Sequence, residues 1–567
     1  MIRRRWCWVA AGALLVTACG AGDMVTTTGR IGPWPTGASP AAGPPTKPAT
    51  PTKPATPGTP PTPTAPGATL SAAPPAQAPP SLTRAQIDGA VARLDGVVRD
   101  TMAKTGVPGL SVAVVHRDRT LFLKGYGVRR VGDPRPVGPD TVFQLASLSK
   151  PLASTVVAGV VGEKTVAWDD PVVEHDPGFA LKDPWVSGHV TLADLFAHRS
   201  GLPDHAGDLL EDLGYGRPYI VGHLRREPLG PFRASYAYTN FGLTAAAEAV
   251  AKARGVTWED LSAQVLYRPL GMTSTSSLFS DYAKASDRAV LHVKADGRWE
   301  ARYTRDPQAQ APAGGASSTA RDLVSWMRLQ LANGRFDGRT VIDPAALGQT
   351  HLPQIVSVPP RAPYGEAGFY GLGWNVNDDE RGRLRLSHSG AFDLGAATAV
   401  TLLPTEGLGI VVLTNGEPVG VPETVSAAFF DIAEHGRQTV DWLKLIGDAF
   451  ATMEEGGRSA IDYAEPPADV RQARPVEAYV GTYDNSYYGP MRVTAGPDGG
   501  LVMRLGPRDM AFPLRHYDGD TFSYVTRGEN AVGLSGVRFT VREARRATAV
   551  TVEHLNQNSL GTFTRRP

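Results

Sequence analysis

Ser147-Leu148-Ser149-Lys150, at the mouth of an apolar helical run, is the stretch whose reading decides the fold of this chain. Positions i and i+3 share one helix face, so Ser147 as first residue sets Lys150 beside its hydroxyl. A desolvated ammonium there loses its proton more easily, and the free N–H groups of a helix N-terminus can meet a developing anion. Such a pair equips a serine for acyl transfer. Average residue usage puts about one or two Ser-x-x-Lys tetrads in a chain this long by chance. The bland alternative is an N-capping Ser beside a solvated Lys. The tetrad gains weight from two later signals in order, Tyr238-Thr239-Asn240 and His388-Ser389-Gly390.

The 567 residues, 42% hydrophobic and 20% charged, suffice for a large core and more than one domain. A formal net charge of +1 gives no electrostatic argument for nucleic acid. The two cysteines, Cys7 and Cys19, both precede the folded sequence. The fold therefore has no disulfide, thiol nucleophile or Cys-based metal site. His198 and His205 lack the His-Glu-x-x-His spacing of a zinc site, and no metal or cofactor is expected.

Arg3-Arg4-Arg5 and the apolar run Trp8 to Val16 read as an export signal, too short to span a membrane. The run ends in Val16-Thr17-Ala18-Cys19, which resembles a bacterial lipobox. Cleavage before Cys19 would leave its thiol to be diacylated, so the expected location is the cell envelope. The lipid is then the one expected membrane contact, and Gly20 resembles outer-membrane sorting if the cell has two membranes. From 20 to 82 the chain is rich in Pro, Thr and Ala, with Thr-Lys-Pro-Ala-Thr-Pro in tandem at 46–51 and 52–57. Such a segment buries little apolar surface and reads as a disordered tether, reaching about 150 Å when fully stretched.

Folded sequence is expected from 83. Ile87 to Met102 has helical spacing, and Leu110–Val115 with Thr120–Gly125 reads as a hairpin. Helices dominate from Ser147 to Gly255, and strands return at Leu384–His388, Ala396–Leu403 and Gly409–Leu413 before a helix at Pro422–His435. Strands at both ends with helices between predict an α+β unit over 83–440, an antiparallel sheet flanked by helices. A polar helical connector (441–471) leads to short alternating runs over 472–567. Those runs, near 479–483, 491–494, 501–505, 521–525, 537–541 and 549–552, predict a small up-and-down barrel.

Around the three signals the sequence closely resembles the serine β-lactamase and DD-peptidase superfamily, most of all the class C β-lactamase-related branch. The likeness rests on Phe143 to Lys150, Leu192 to Pro203, Tyr236 to Gly242 and Pro269 to Met272. It continues through Gly314 to Leu323, Tyr370 to Trp374 and His388 to Gly390, in the family order. The tail resembles the lipocalin-like domain that accompanies some members. Its expected role is packing or oligomerisation, with a cover over the cleft as the sharper alternative.

The resemblance implies Ser147 as nucleophile and Lys150 as the group that holds or accepts its proton. It makes Tyr238 a second proton carrier, as a phenolate that Lys150 stabilises; a free phenol, with a pKa of about 10, needs that help. Asn240 would donate to the acyl side chain, and the amides of Ala391 and Ser147 would form the oxyanion hole. The family's usual Lys-Thr-Gly reads His388-Ser389-Gly390 here: the resemblance counts His388 with the catalytic group, where it keeps a donor but only a partial charge near neutral pH, and puts Ser389 and Gly390 on the substrate edge. Loss of the fixed Lys charge weakens the case for carboxylate-bearing substrates such as penicillins. The expected function is an exported serine hydrolase for esters or amides. D-amino-acid peptides, including peptidoglycan stems, β-lactams and carboxylic esters all remain open as substrates. The alternative is a non-catalytic scaffold or cell-wall binding protein on the same fold.

Overall fold

The structure is a computed structural model that describes residues 80–360, 365–541 and 546–567. The export signal, Cys19 and most of the tether read from the sequence lie outside the described residues. Helix α1 (Arg84–Thr105) opens on a capping box at Thr83 and Gln86 and ends at Gly106, whose φ of 71° closes the helix. It leads into the hairpin β1 (Gly109–His116) and β2 (Arg119–Arg130), edged by β3 (Asp133–Pro136). The middle of the chain is helical, with α2 (Ser149–Gly162), α3 (Asn240–Ala253) and α4 (Ala320–Leu331) as its longest described helices.

The chain then returns to the sheet through β4 (Ile355–Val358), β5 (Gly368–Tyr370), β6 (Asn375–Asp378), β7 (Leu384–Phe392), β8 (Ala396–Leu403) and β9 (Leu408–Thr414). The nine strands lie in the order β4-β5-β6-β7-β8-β9-β1-β2-β3, so both ends of the domain share one antiparallel sheet. β1 joins β9 with Leu110 opposite Thr414. β1 is buried along its whole length because helices cover both faces. Ala113, Val115, Val411 and Leu413 face the helical layer that holds α2, α3 and α4. Leu110, Val112, Ile410 and Val412 face α1 and α5 (Val421–His435).

Of the segment 441–471, only its first half is helical: α6 spans Trp442–Gly456. Nor is that helix polar throughout, since Trp442, Ile446 and Phe450 cluster with Ala428 of α5 at i, i+4 and i+8. The tail closes an eight-stranded barrel: β10 (Gly481–Asp484), β11 (Met491–Ala495), β12 (Leu501–Leu505), β13 (Met510–Asp518), β14 (Thr521–Val525), β15 (Leu534–Val541), β16 (Ala547–Val552) and β17 (Thr562–Arg565). β10 pairs with β17 to close it. The two strands beyond the six predicted are β13, whose pattern Pro513 interrupts, and the four-residue β17. No described helix is long and apolar enough to cross a membrane.

One buried ion cluster ties the start of the domain to its sheet. Arg383, 3% exposed, donates to Asp379 (2.7 Å), Glu406 (2.7 Å) and the Ser81 hydroxyl (2.8 Å), and pairs with Glu434. Glu406 also accepts the Ser81 and Leu82 amides. Arg383→Met strands these carboxylates and is expected to cost about 3–5 kcal/mol in chemical denaturation. Its hydrogen bonds hold the Glu406 carboxyl below its ordinary value of 4.5, so that stability is present above this pH and lost in acid. The gap between wild type and variant should therefore narrow as the pH falls below 4.5.

Candidate active site

Ser147 sits in a 3₁₀ turn, Ala146–Leu148, that runs directly into α2 at Ser149. Ala146 just before it takes a φ of 49°, a left-handed conformation that an alanine adopts only under constraint. The turn is pinned from the sheet. Thr398 Oγ1 on β8 donates to the Leu145 carbonyl at 2.7 Å. Gly390 on β7 passes so close that a Cβ would lie 2.2 Å from that carbonyl oxygen and 2.8 Å from the Leu148 nitrogen. A side chain is therefore excluded at Gly390 by close approach to the serine's own turn.

Lys150 is fully buried in the first turn of α2, a helix buried nearly all round. Its Nζ donates to Ser147 Oγ (3.0 Å), Asn240 Oδ1 (2.7 Å) and the Ala313 carbonyl (3.0 Å). Burial drives its pKa well below 10.5, against the opposing pull of Asp208. Once deprotonated, the amine keeps two N–H donors for the Asn240 and Ala313 oxygens, which can only accept. Its lone pair then faces Ser147, the one partner with a proton to give.

The Tyr238 hydroxyl donates to Ser147 Oγ at 2.7 Å, and the Lys150 nitrogen lies 4.4 Å from the Tyr238 ring centroid. Thr239 is the N-cap of α3 and Asn240 its first residue. Asn240 acts as a bridge: its Nδ2 donates to Asp208 Oδ2 (2.9 Å) while its Oδ1 takes the lysine. The two histidines of the Leu192–Pro203 region and its turn position this segment. His198 accepts the Thr239 amide on Nδ1, and the His205 amide donates to the Tyr238 carbonyl. His205 Nδ1 lies 2.6 Å from Asp208 Oδ2.

His388 is buried on β7. Its Nδ1 donates to the Ser389 carbonyl (2.6 Å), which leaves Nε2 to accept the Tyr370 hydroxyl (2.9 Å). Burial first, and then Lys150, push its pKa down to about 3. The position of the usual lysine is thus held by a neutral imidazole with both nitrogens engaged. β6 pairs with β7 only as far as Ser387, so residues 388–392 have no strand partner on the β6 side. Ser147, His388, Ser389 and Ala391 line one pocket with Tyr238 and Asn240.

Several residues of that pocket carried no sequence signal, Arg305, Glu423 and Glu529 among them. Arg305 is buried over the Phe392 ring and held by Glu211 at 2.5 Å. Glu423, in the first turn of α5, hydrogen-bonds Ser389. Glu529 comes from the barrel loop between β14 and β15: its Oε1 accepts the Asp393 amide (2.6 Å), and its Oε2 lies 3.5 Å from Arg305. The same loop is anchored by Asp212, which accepts the Glu529 and Asn530 amides at 2.8 and 2.9 Å. Tyr215 and Tyr219 donate to the Tyr488 and Tyr487 carbonyls beside it. The barrel therefore supplies part of the pocket wall, which packing alone does not require.

A three-layer fold with a serine hydroxyl between a buried lysine and a tyrosine defines an enzyme of the serine acyl-transfer class. Residues 94–429 match the family described as Beta-lactamase, and the chain belongs to that family of serine hydrolases. Residues 465–562 match a domain of unknown function, DUF3471. The unguisins hydrolase ungD' of Aspergillus campestris is 26% identical over 421 residues, 70% of this chain and 75% of that one. The D-alanyl-D-alanine-carboxypeptidase/endopeptidase AmpH of Escherichia coli is 24% identical over 325 residues, covering 56% and 81%. Among solved structures, the octameric penicillin-binding protein homologue from Pyrococcus abyssi aligns with a TM-score of 0.54 at 18% identity, over 82% of this chain and 98% of that one. The class C beta lactamase from Rhodobacter sphaeroides aligns at 0.50 and 23% identity, over 61% and 99%. These two likenesses concern the fold.

The buried lysine carries a signed pH dependence. With its folded pKa below 10.5, Lys150 releases a proton on folding, so wild-type stability rises with pH up to 10.5. Lys150→Met lacks this term. Unfolding free energies measured from pH 7 upward should move in favour of wild type, by at most about 1.4 kcal/mol per pH unit.

Proposed function

We propose that the protein hydrolyses small esters or amides through an acyl-enzyme on Ser147. The observation that carries this reading is the Ser147 hydroxyl held between Lys150 Nζ at 3.0 Å and Tyr238 OH at 2.7 Å. Ser147 Oγ attacks the carbonyl carbon as its proton passes to neutral Lys150. The carbonyl oxygen, now an oxyanion, turns to the Ser147 and Ala391 amides. Tyr238 passes a proton to the leaving oxygen or nitrogen and recovers one from Lys150 through Ser147's site, and the leaving bond breaks. Water then attacks the ester, its proton returns by the same route, and a free acid leaves with the Ser147 hydroxyl restored.

Substrates without a carboxylate near the reacting carbonyl fit best. Among the described residues, His388 is neutral and Arg305 already has Glu211 and Glu529 beside it, so neither offers an anion an uncompensated charge. This favours esters and D-amino-acid amides over penicillins and carboxyl-terminal D-Ala peptides. Glu529 and Asn530 of the barrel loop narrow the pocket, which favours short substrates. Export on a Cys19 lipid anchor completes the proposal. Its motive is the lipobox-like ending at Cys19. Cys19→Ser should release the protein from membranes, and mass spectrometry of the native N-terminus should find a diacylglyceryl group.

Ser147→Ala should lower p-nitrophenyl acetate hydrolysis by about 10³-fold or more, with the circular dichroism spectrum unchanged. Lys150→Ala and Tyr238→Phe should each slow acylation severely, and the double variant should be little worse than either. Additive losses in stopped-flow acylation would mean that the two groups act separately. Cephalosporin turnover should stay at least about tenfold below ester turnover, since a carboxylate meets no free positive charge. A cephalosporin preference would overturn the charge argument.

A further inference from the structure

The pocket walls hold buried acceptors that no described residue satisfies. Asp208 Oδ1, Asn375 Oδ1 and Glu423 Oε2 are buried and have no hydrogen-bond partner, and all three residues line the pocket. Native interiors seldom leave such atoms unpaired. Arg305 Nε on the same wall is also buried without a hydrogen-bond partner, but Glu529 Oε2 lies 3.5 Å from it, so the three acceptors are the atoms with no opposite group beside them and call for a ligand that donates. Glu423 stands out because its charge is uncompensated. Glu529 has Arg305 beside it, and Arg305 is already tied to Glu211. The Glu423 side chain is 3% exposed, and its second oxygen faces no cation.

We infer that the pocket binds a positively charged, donor-rich group of the substrate, a primary ammonium, with Glu423 as its counter-charge. This rests on the Ser147 hydrolase reading and names the substrate class of that site. Glu423 is then a specificity residue on α5, outside the Ser147–Lys150–Tyr238 unit. An ammonium has three N–H donors, which match a carboxylate and amide oxygens better than a hydroxyl or carboxylate ligand does.

The titratable groups around the pocket besides Glu423 are Lys150, His205, Asp208, Tyr238, Asp393, Arg305 and Glu529, with His388 neutral; His205 is paired with Asp208. On Glu423 itself, burial raises the carboxyl to about 7 against the Ser389 hydrogen bond and its own helix backbone. In the empty site Glu423 is thus ionised above this range and protonated below it. Attraction for an ammonium must grow as the pH rises through 7.

The full-length protein hydrolysing p-nitrophenyl acetate tests this with two inhibitors of one shape, n-butylammonium and n-butanol. At pH 8 the ammonium should inhibit at a concentration at least tenfold below that of the alcohol, and butyrate should be weaker than either. The ratio of the two inhibition constants should shrink several-fold at pH 6. In Glu423→Gln it should fall toward one at both pH values; because the ratio is taken within each variant, any change in turnover cancels. Equal constants in wild type, or tighter butyrate, would overturn the inference. A full ratio surviving in Glu423→Gln would overturn the assignment to that residue. Should Glu423→Gln not fold, the wild-type ratio and its pH dependence decide alone. A wild-type protein that does not hydrolyse the ester refutes the hydrolase reading instead. The inference is then read from thermal stabilisation by n-butylammonium against n-butanol, where equal shifts overturn it.

Discussion

The site depends on the burial of one ammonium group. Lys150 has no access to water, and its nitrogen is within hydrogen-bond distance of three oxygens, each fixed by a different part of the chain. Such a group must be either paired or neutral. Asp208 pulls toward the charged form but reaches the lysine only through the Asn240 amide, so desolvation prevails. The same geometry that costs the fold a solvated lysine leaves an amine facing a serine hydroxyl. The remote Asp208 only tempers this, from a position that does not touch the lysine.

A second constraint is the distance between the sheet and the serine's turn. Gly390 and Thr398 bring β7 and β8 against Leu145–Leu148, which fixes Ala391 and the turn relative to one another. An oxyanion site made from two separate backbones needs that kind of fixing. The left-handed Ala146 is held by the same contacts, so strain at the turn is borne by the sheet. With helices on both faces of the sheet, little freedom is left for it to yield.

What could be read from the sequence divides along the range of the interactions. Ser147 and Lys150 lie one helical turn apart, and Tyr238 and Asn240 flank a helix start, so local spacing exposed them. The hairpin, α1, α5, the last three strands of the sheet and six barrel runs were legible for the same reason. The edge strands β4 to β6 were not, being three or four residues each and paired only in the folded sheet. His198 and His205 drew attention as possible ligands, yet they position the Tyr238 segment, more than thirty residues away. An i,i+3 His205–Asp208 pair was the one local hint of that cradle. Arg305, Glu423 and Glu529 were invisible because only the tertiary fold gathers them. The neutrality of His388 was half legible: the residue type showed the missing lysine charge, and burial removed what remained.

The barrel adds a third constraint. A separate all-β unit can pack on a neighbour without touching its chemistry, and the tail alone favoured that reading. Here the loop between β14 and β15 carries Glu529 to the pocket wall, and Asp212 takes two of its backbone amides. Burial pushes the Asp212 and Glu529 carboxyls up, against the pull of Arg305. Arg305 is thus shared among Glu211, Asp212 and Glu529. Were the loop withdrawn, Arg305 would keep Glu211 and gain a face toward the pocket, and the site would accept anions more readily. The barrel loop therefore contributes to the charge of the pocket wall as well as to its width, and both depend on the hydrolase fold and the barrel together.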